Sequence, residues 1–273
     1  MNKETAMDDI RIGIAGFGAI GRSVARHIAQ GIEGIRLTAV GVRNPKQPPE
    51  FDWSGKPPAF TLLDELEPHC DVVIECAPAH LLPSITAPVL KAGKKVITLS
   101  SGALLAHPEL MDLARQHKGQ ILVPSGAILG LDAILGAAEG NIQSVKMTSR
   151  KPTRGFVGAP FLEQRGIDVM TIKEPTLIFS GTAREAASGF PANLNVAVSV
   201  SLAGIGPDKT QLEVWADPTL ERNTHHIQVV SDSALLSMEI QNIPSENPKT
   251  GRITAQSVIA MLRKMRAPLS VGT

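Results

Sequence analysis

Three polar clusters interrupt apolar stretches of this 273-residue chain and carry side chains able to do chemistry. The first is Asn223-Thr224-His225-His226-Ile227-Gln228-Val229, whose histidines suit proton transfer near neutral pH. The run reads as a strand, so neighbouring side chains point to opposite faces and His225 and His226 cannot line one pocket together. His225 shares its face with Asn223 and Ile227, and His226 shares the other with Gln228. The second cluster is Phe190-Pro191-Ala192-Asn193-Leu194-Asn195-Val196-Ala197, which opens an apolar helix. Asn193 suits an N-cap. Asn195 falls inside the first turn, where a side-chain amide has less local use, and is the candidate for contacting a ligand amide. The third is Pro124 to Ala133, a Gly-containing turn at the end of a strand. Arg150, Lys151, Arg154 and Lys249 add cations, in loops expected between domains, that suit substrate carboxylates.

The elements that must position these groups begin with Ile10-Arg11-Ile12-Gly13-Ile14-Ala15-Gly16-Phe17-Gly18-Ala19-Ile20-Gly21, an apolar strand that breaks into Gly-x-Gly-x-x-Gly. A helical pattern follows from Arg22 to Gln30. In a dinucleotide fold Gly16 makes the tight turn, Gly18 admits the pyrophosphate to the backbone, and Gly21 packs helix on strand. The phosphates then meet the free N–H groups of the helix, around Ala19 and Ile20. Further strand patterns at 35–42, 71–76, 94–99 and 120–124 alternate with helical ones at 78–91 and 108–117, with a short helix expected over 62–66. Residues 44–58 hold five prolines and read as a loop. Strands separated by helices predict a parallel, doubly wound sheet. After about residue 125 the pattern changes. A helix is predicted over 128–138 and a strand over 144–149, then strands at 211–215, 226–230 and 234–240 joined without helices, which favours an antiparallel sheet. A last helical run, Ile253 to Met265, is expected to return to the first domain. The predicted architecture is therefore a Rossmann-type α/β domain (1–126), an α+β, mostly antiparallel, substrate and dimerisation domain (127–250), and a closing helix (251–273).

In NAD-binding folds an acidic residue past the second strand holds the ribose 2′-hydroxyl. Here that place is Val42-Arg43-Asn44, without a carboxylate. The Arg43 guanidinium suits a 2′-phosphate, so the expected cofactor is NADP or NAD, with NADP slightly favoured. Composition excludes several classes. A net charge of +1 gives no footprint for nucleic acid or an anionic membrane surface. No apolar run approaches the ~18 residues of a membrane span. Cys70 and Cys76 make neither a disulfide framework nor a metal motif, and no metal is expected. With no signal peptide seen, the expected location is cytoplasmic. Residues 1–8 read as a loose end.

Taken together, GFGAIG, the SGAILGLDAI block, SRKP at 149–152, FPANLNVA, the stretch from Ala216 to His225 with its N-x-H, and NPKT at 247–250 make the chain resemble the L-aspartate dehydrogenase family over nearly its whole length. The resemblance implies a homodimer that oxidatively deaminates L-aspartate with NAD(P) to iminosuccinate. That product hydrolyses to oxaloacetate and ammonia or feeds NAD biosynthesis. It places the family's cofactor-contacting Ala at Ala127, its cofactor-contacting Asn at Asn195, and its active-site His at His225. His225 is then expected to act as general base in oxidation, or as general acid or water activator in the imine–ketone step. Arg150, Lys151 and Lys249 are the nearest candidates for the substrate carboxylates. Two positions depart from the family pattern: Arg43 replaces an acidic residue, and Gly251 stands where a small hydroxyl residue is common. The alternatives are a related two-domain reductase of another small amino or imino acid, such as homoserine or dihydrodipicolinate, and a non-catalytic NADP-binding sensor.

Overall fold

The computed structural model describes residues 8–53, 55–190, 194–244 and 251–273. The loose end expected at 1–8 lies, but for Asp8, outside them, as do Asn193 and Lys249. The chain forms two compact units.

The first unit holds the chain up to Ser100, then 107–124 and 255–270. Its strands are β1 (Ile10–Ala15), β2 (Ile35–Gly41), β3 (Ala59–Thr61), β4 (Val72–Glu75), β5 (Lys95–Thr98) and β6 (Gln120–Leu122). They pair in parallel in the order β3-β2-β1-β4-β5-β6, the doubly wound Rossmann order. The central strands are almost unbroken apolar runs because helices cover both faces of such a sheet. Ile12, Ile14, Ile74 and Ile97 are fully buried. Helix α1 (Ala19–Ala29) starts at Ala19 rather than at Arg22, because Gly18 is its extended N-cap and the turn ends there. Helices α2 (Leu82–Lys91) and α4 (Glu109–His117) follow, while α3 (Ser101–Leu104), between them in sequence, clusters with the second unit. Two expectations shift. The helix expected over 62–66 is a single 3₁₀ turn at Glu67–His69 with Pro68 near its start, and β3 was not expected after the proline-rich loop. That loop is anchored: Phe51 and Trp53 pack on Phe17 at centroid distances of 5.2 and 5.4 Å.

The second unit comprises 101–106, the described residues of 125–254, and 271–273. Residues 101–106, expected in the nucleotide half, cluster with this unit. Its elements are α5 (Leu131–Ala138), β7 (Ile142–Lys151), α6 (Pro160–Glu163), β8 (Thr176–Thr182), α7 (Ala183–Gly189), α8 (Asn195–Ala203), β9 (Gln211–Ala216), β10 (Asn223–Ser231) and β11 (Leu235–Asn242). Helix α5 begins three residues later than expected, since Gly130 precedes it in the left-handed region at φ 71°. The sheet order is β11-β10-β7-β9-β8. It is mostly antiparallel, with one parallel junction between β7 and β9. A parallel pair needs a long crossover, and the helices α6 to α8 between those strands supply it.

The closing helix α9 (Ile253–Lys264) puts Ala255, Val258, Ile259 and Leu262 into the core of the first unit, beside Ile12, Val24 and Ile28. Among the described residues no helix is long and apolar enough to cross a membrane.

Candidate active site

In the first unit the glycine turn has the form a dinucleotide pyrophosphate needs. Gly16 adopts φ 94°, and a Cβ there would stand 2.8 Å from the Cys76 carbonyl oxygen. A Cβ on Gly21 would collide with the Gly16 carbonyl oxygen, so helix and turn touch through backbone alone. Gly18 differs, because a Cβ there would meet nothing within 4 Å. The missing side chain thus faces open space at the N-terminus of α1, where N–H groups without intrahelical partners and the helix dipole favour an anion. These residues fit a bound pyrophosphate. Arg43 lies exposed just beyond β2, with the exposed Lys46 three residues on.

The second unit carries a polar end on an apolar core. The inward series on β7 runs Val145, Met147, Ser149, Lys151; on β10 it runs Val229, Ile227, His225, Asn223. All eight are buried. Both strands therefore switch from apolar to polar at the same end of one sheet face. His225 lies directly across from Ser149, and the Ser149 hydroxyl and His225 Nδ1 are hydrogen-bonded at 3.1 Å. Lys151 is two residues beyond Ser149 on the same face, with Nζ 5.9 Å from the Phe156 ring centre. Burial pulls the Lys151 ammonium down to about 8, since a cation removed from water loses its hydration. His225 is pulled down to about 3, first by burial and then by the neighbouring charge of Lys151. Its ring is neutral at working pH, which bears on the general-base role expected for it.

Asn242, across from Asn223 on β11, donates from Nδ2 to the Ala127 carbonyl at 2.9 Å and so holds that loop in place. Its buried Oδ1 has no hydrogen-bond partner among the described residues. Asn195, the first residue of α8, accepts the Gly102 N–H on Oδ1 at 3.0 Å, while its carbonyl accepts the Ser101 hydroxyl at 2.8 Å. With Oδ1 engaged, the group Asn195 can offer a ligand amide is the Nδ2 donor.

The structure therefore brings Lys151 and His225 together but leaves Arg150 out. Strand alternation turns Arg150 to the other face, where its guanidinium lies over Trp215 at 5.0 Å. His226 is also on that side and bonds the Ser237 hydroxyl at 3.1 Å. Arg154 borders a small recess with Asn223 and Glu221. Lys249 lies outside the described residues. Sequence reasoning did not single out Ser149, Asn242 or the buried Glu75. The alternation of Ser149 and Lys151 on a strand was the available signal for the first; the other two depend on partners remote in sequence.

Residues 132–265 match the family model described as the C-terminal domain of aspartate dehydrogenase, and residues 16–124 match the NAD-binding domain of homoserine dehydrogenase. The chain is 60% identical over 271 residues to L-aspartate dehydrogenase 3 of Bordetella bronchiseptica, covering 98% of this chain and 100% of that protein. It is 53% identical over 274 residues to L-aspartate dehydrogenase of Bradyrhizobium diazoefficiens, covering 100% and 98%. The crystal structure of aspartate dehydrogenase from Thermotoga maritima superposes with a TM-score of 0.71 at 22% identity, over 96% of this chain and 99% of that one, which supports the fold. With a nicotinamide-binding first half, a matching second half and near-complete coverage of both relatives, the chain is an oxidoreductase that belongs to the L-aspartate dehydrogenase family.

Proposed function

We propose that this chain oxidises L-aspartate to iminosuccinate, which water converts to oxaloacetate and ammonia, and that it runs the reverse amination when ammonia is supplied. The observation that carries the reading is the buried pair of Lys151 and His225 on one sheet face. Lys151 is a buried cation on the face that carries His225, and charge pairing is stronger in such a low-dielectric place than in water, which suits a substrate carboxylate. Lys151 is accordingly the carboxylate-binding cation, and Arg150 is set aside.

The α-amine must be neutral before its lone pair can form the C=N bond. His225 is the proton acceptor in this scheme, and Lys151 controls it. A carboxylate seated against Lys151 offsets the charge that helps hold His225 low, so substrate binding itself raises the proton affinity of the imidazole. Ser149 fixes the ring through Nδ1, which leaves Nε2 as the nitrogen for substrate or for the water that attacks the imine. Gly16, Gly18, Ala19, Ile20 and Gly21 would hold the pyrophosphate, and Ala127 and the Asn195 amide are proposed as further cofactor contacts on the family resemblance. When bound, the nicotinamide supplies the acceptor for the hydrogen and electron pair that leave Cα. Arg43, exposed and without a carboxylate beside it in sequence, supports NADP over NAD. The same reading makes the enzyme a cytoplasmic homodimer that delivers iminosuccinate toward NAD biosynthesis.

The test is nicotinamide absorbance with L-aspartate and either cofactor, and in reverse with oxaloacetate plus ammonia. Turnover in both directions is expected, with Arg43→Ala raising KM for NADP by about tenfold and leaving that for NAD alone. His225→Ala is expected to lower kcat by ~10²–10⁴-fold. No turnover of aspartate or oxaloacetate by the folded protein overturns the reading.

A further inference from the structure

Glu75 is the last residue of β4 and is completely buried, an unusual place for a carboxylate. Its Oε1 accepts the Ala77 N–H at 3.1 Å and the Ser100 hydroxyl at 3.0 Å. Its Oε2 accepts the Leu99 N–H at 3.2 Å and the Ser100 N–H at 3.0 Å. One side chain thus ties together the loops leaving β4 and β5. Burial pushes the Glu75 carboxyl up, while the four donors pull the other way, because each bonds the ionised form best.

The loop after β4 is also the one that lies against the glycine turn. Cys76 N donates to the Ala15 carbonyl at 2.8 Å, and a Cβ on Gly16 would meet the Cys76 carbonyl and the Ala77 Cα at 2.8 and 3.1 Å. In doubly wound sheets ligands bind beyond the carboxyl ends of the strands, which here is the edge these loops form. A buried carboxylate is a costly way to stabilise a core that apolar residues would fill more cheaply, so its value lies in fixing a geometry. It also occupies three inward N–H groups and a hydroxyl, leaving the first turn of α1 as the place where the backbone receives phosphate oxygens.

We propose that Glu75 is a positioning residue for the nicotinamide cofactor, setting the loops after β4 and β5 in the arrangement that receives it beside Gly16. This rests on the nucleotide reading of the glycine turn and is independent of the substrate.

The experiment measures NADH and NADPH dissociation constants by fluorescence, together with thermal unfolding, for wild type, Glu75→Gln and Ser100→Ala. In Glu75→Gln one acceptor oxygen becomes an NH₂ that faces an N–H donor whichever way the amide is turned. Reduced-cofactor affinity should fall by about tenfold or more, with kcat at saturating cofactor falling less. Ser100→Ala deletes only the hydroxyl contact and should weaken binding by roughly threefold with little change in unfolding temperature. A folded Glu75→Gln that binds NADH within about twofold of wild type overturns the proposal, since a structural role would lower stability alone. If Glu75→Gln does not fold, Ser100→Ala decides, and unchanged affinity there overturns it. Wild type that binds neither cofactor would instead overturn the nucleotide reading itself.

Discussion

Lys151 is where function and stability pull against each other most directly. Its ammonium has an ordinary value of 10.5 and is held at about 8, a difference worth about 3 kcal/mol against the folded state below pH 8. Lys151→Met is therefore expected to raise stability at neutral pH by up to about 3 kcal/mol. Between pH 8 and 10.5 the folded chain releases a proton that the unfolded chain retains, so wild-type stability rises with pH and the advantage of the variant shrinks. Denaturant unfolding across that range checks both the sign and the window. The same substitution should raise KM for aspartate by roughly 10–100-fold, and wild-type KM should itself climb above about pH 8 as Lys151 loses its charge. An unchanged KM in the variant would remove Lys151 from carboxylate binding. The glycines and His225 were legible in the sequence because their chemistry is local or belongs to a short pattern. Glu75 was not, since a single acid ending an apolar strand has no meaning until the loop that carries Ser100 is brought beside it.

At the level of elements, the glycine turn separates two demands that a motif merges. Gly21 is required by contact with the Gly16 carbonyl, whereas Gly18 faces open space. Gly18→Ala should leave unfolding almost unchanged yet weaken the cofactor by about tenfold, because the methyl occupies the approach of the pyrophosphate. Gly21→Ala should lower stability and cofactor affinity together. Thermal melts paired with NADH titrations distinguish the two, and equal losses of stability would contradict the open space at Gly18. Most of the parallel sheet was readable because its strands are short apolar runs between helices. Strand β3 was obscured by the prolines before it. Strand β8 was missed although its end carries a readable signal: Thr182 and Glu185 form a capping box at the start of α7. Arg150 shows the cost of reading cations by proximity in sequence, since one step along a strand changes the face.

The whole chain is less modular than its sequence order suggests. The boundary expected near residue 126 treats the nucleotide half as continuous up to that point, yet residues 101–106 cluster with the second unit, while α9, expected to return to the first domain, clusters with the first. The exchange of 101–106 carries no local signal, because it depends on which surface remains uncovered after the sheets form, whereas the helical spacing of 253–265 was readable. Leu262 is fully buried in the first core, so Leu262→Ala is expected to cost about 2–5 kcal/mol. The two tryptophans report separately, Trp53 from the first unit and Trp215 from the second. Unfolding followed in Trp215→Phe and Trp53→Phe backgrounds should show the loss in the Trp53 signal first. Equal and simultaneous loss from both reporters would mean that α9 supports both units alike.

Placing Val258, Ile259 and Leu262 in the first core has a consequence for synthesis on the ribosome. The segment that completes the nucleotide unit emerges after nearly all of the second unit has been made. At about 5–20 residues per second, the apolar socket for α9 stays uncovered for on the order of ten seconds. During that interval the nascent chain presents a sticky groove to its neighbours, and a product truncated before Ile253 presents it permanently. A chain that lacks α9 leaves Ile12, Val24 and Ile28 without part of their apolar cover, and such exposed apolar surface is prone to aggregation.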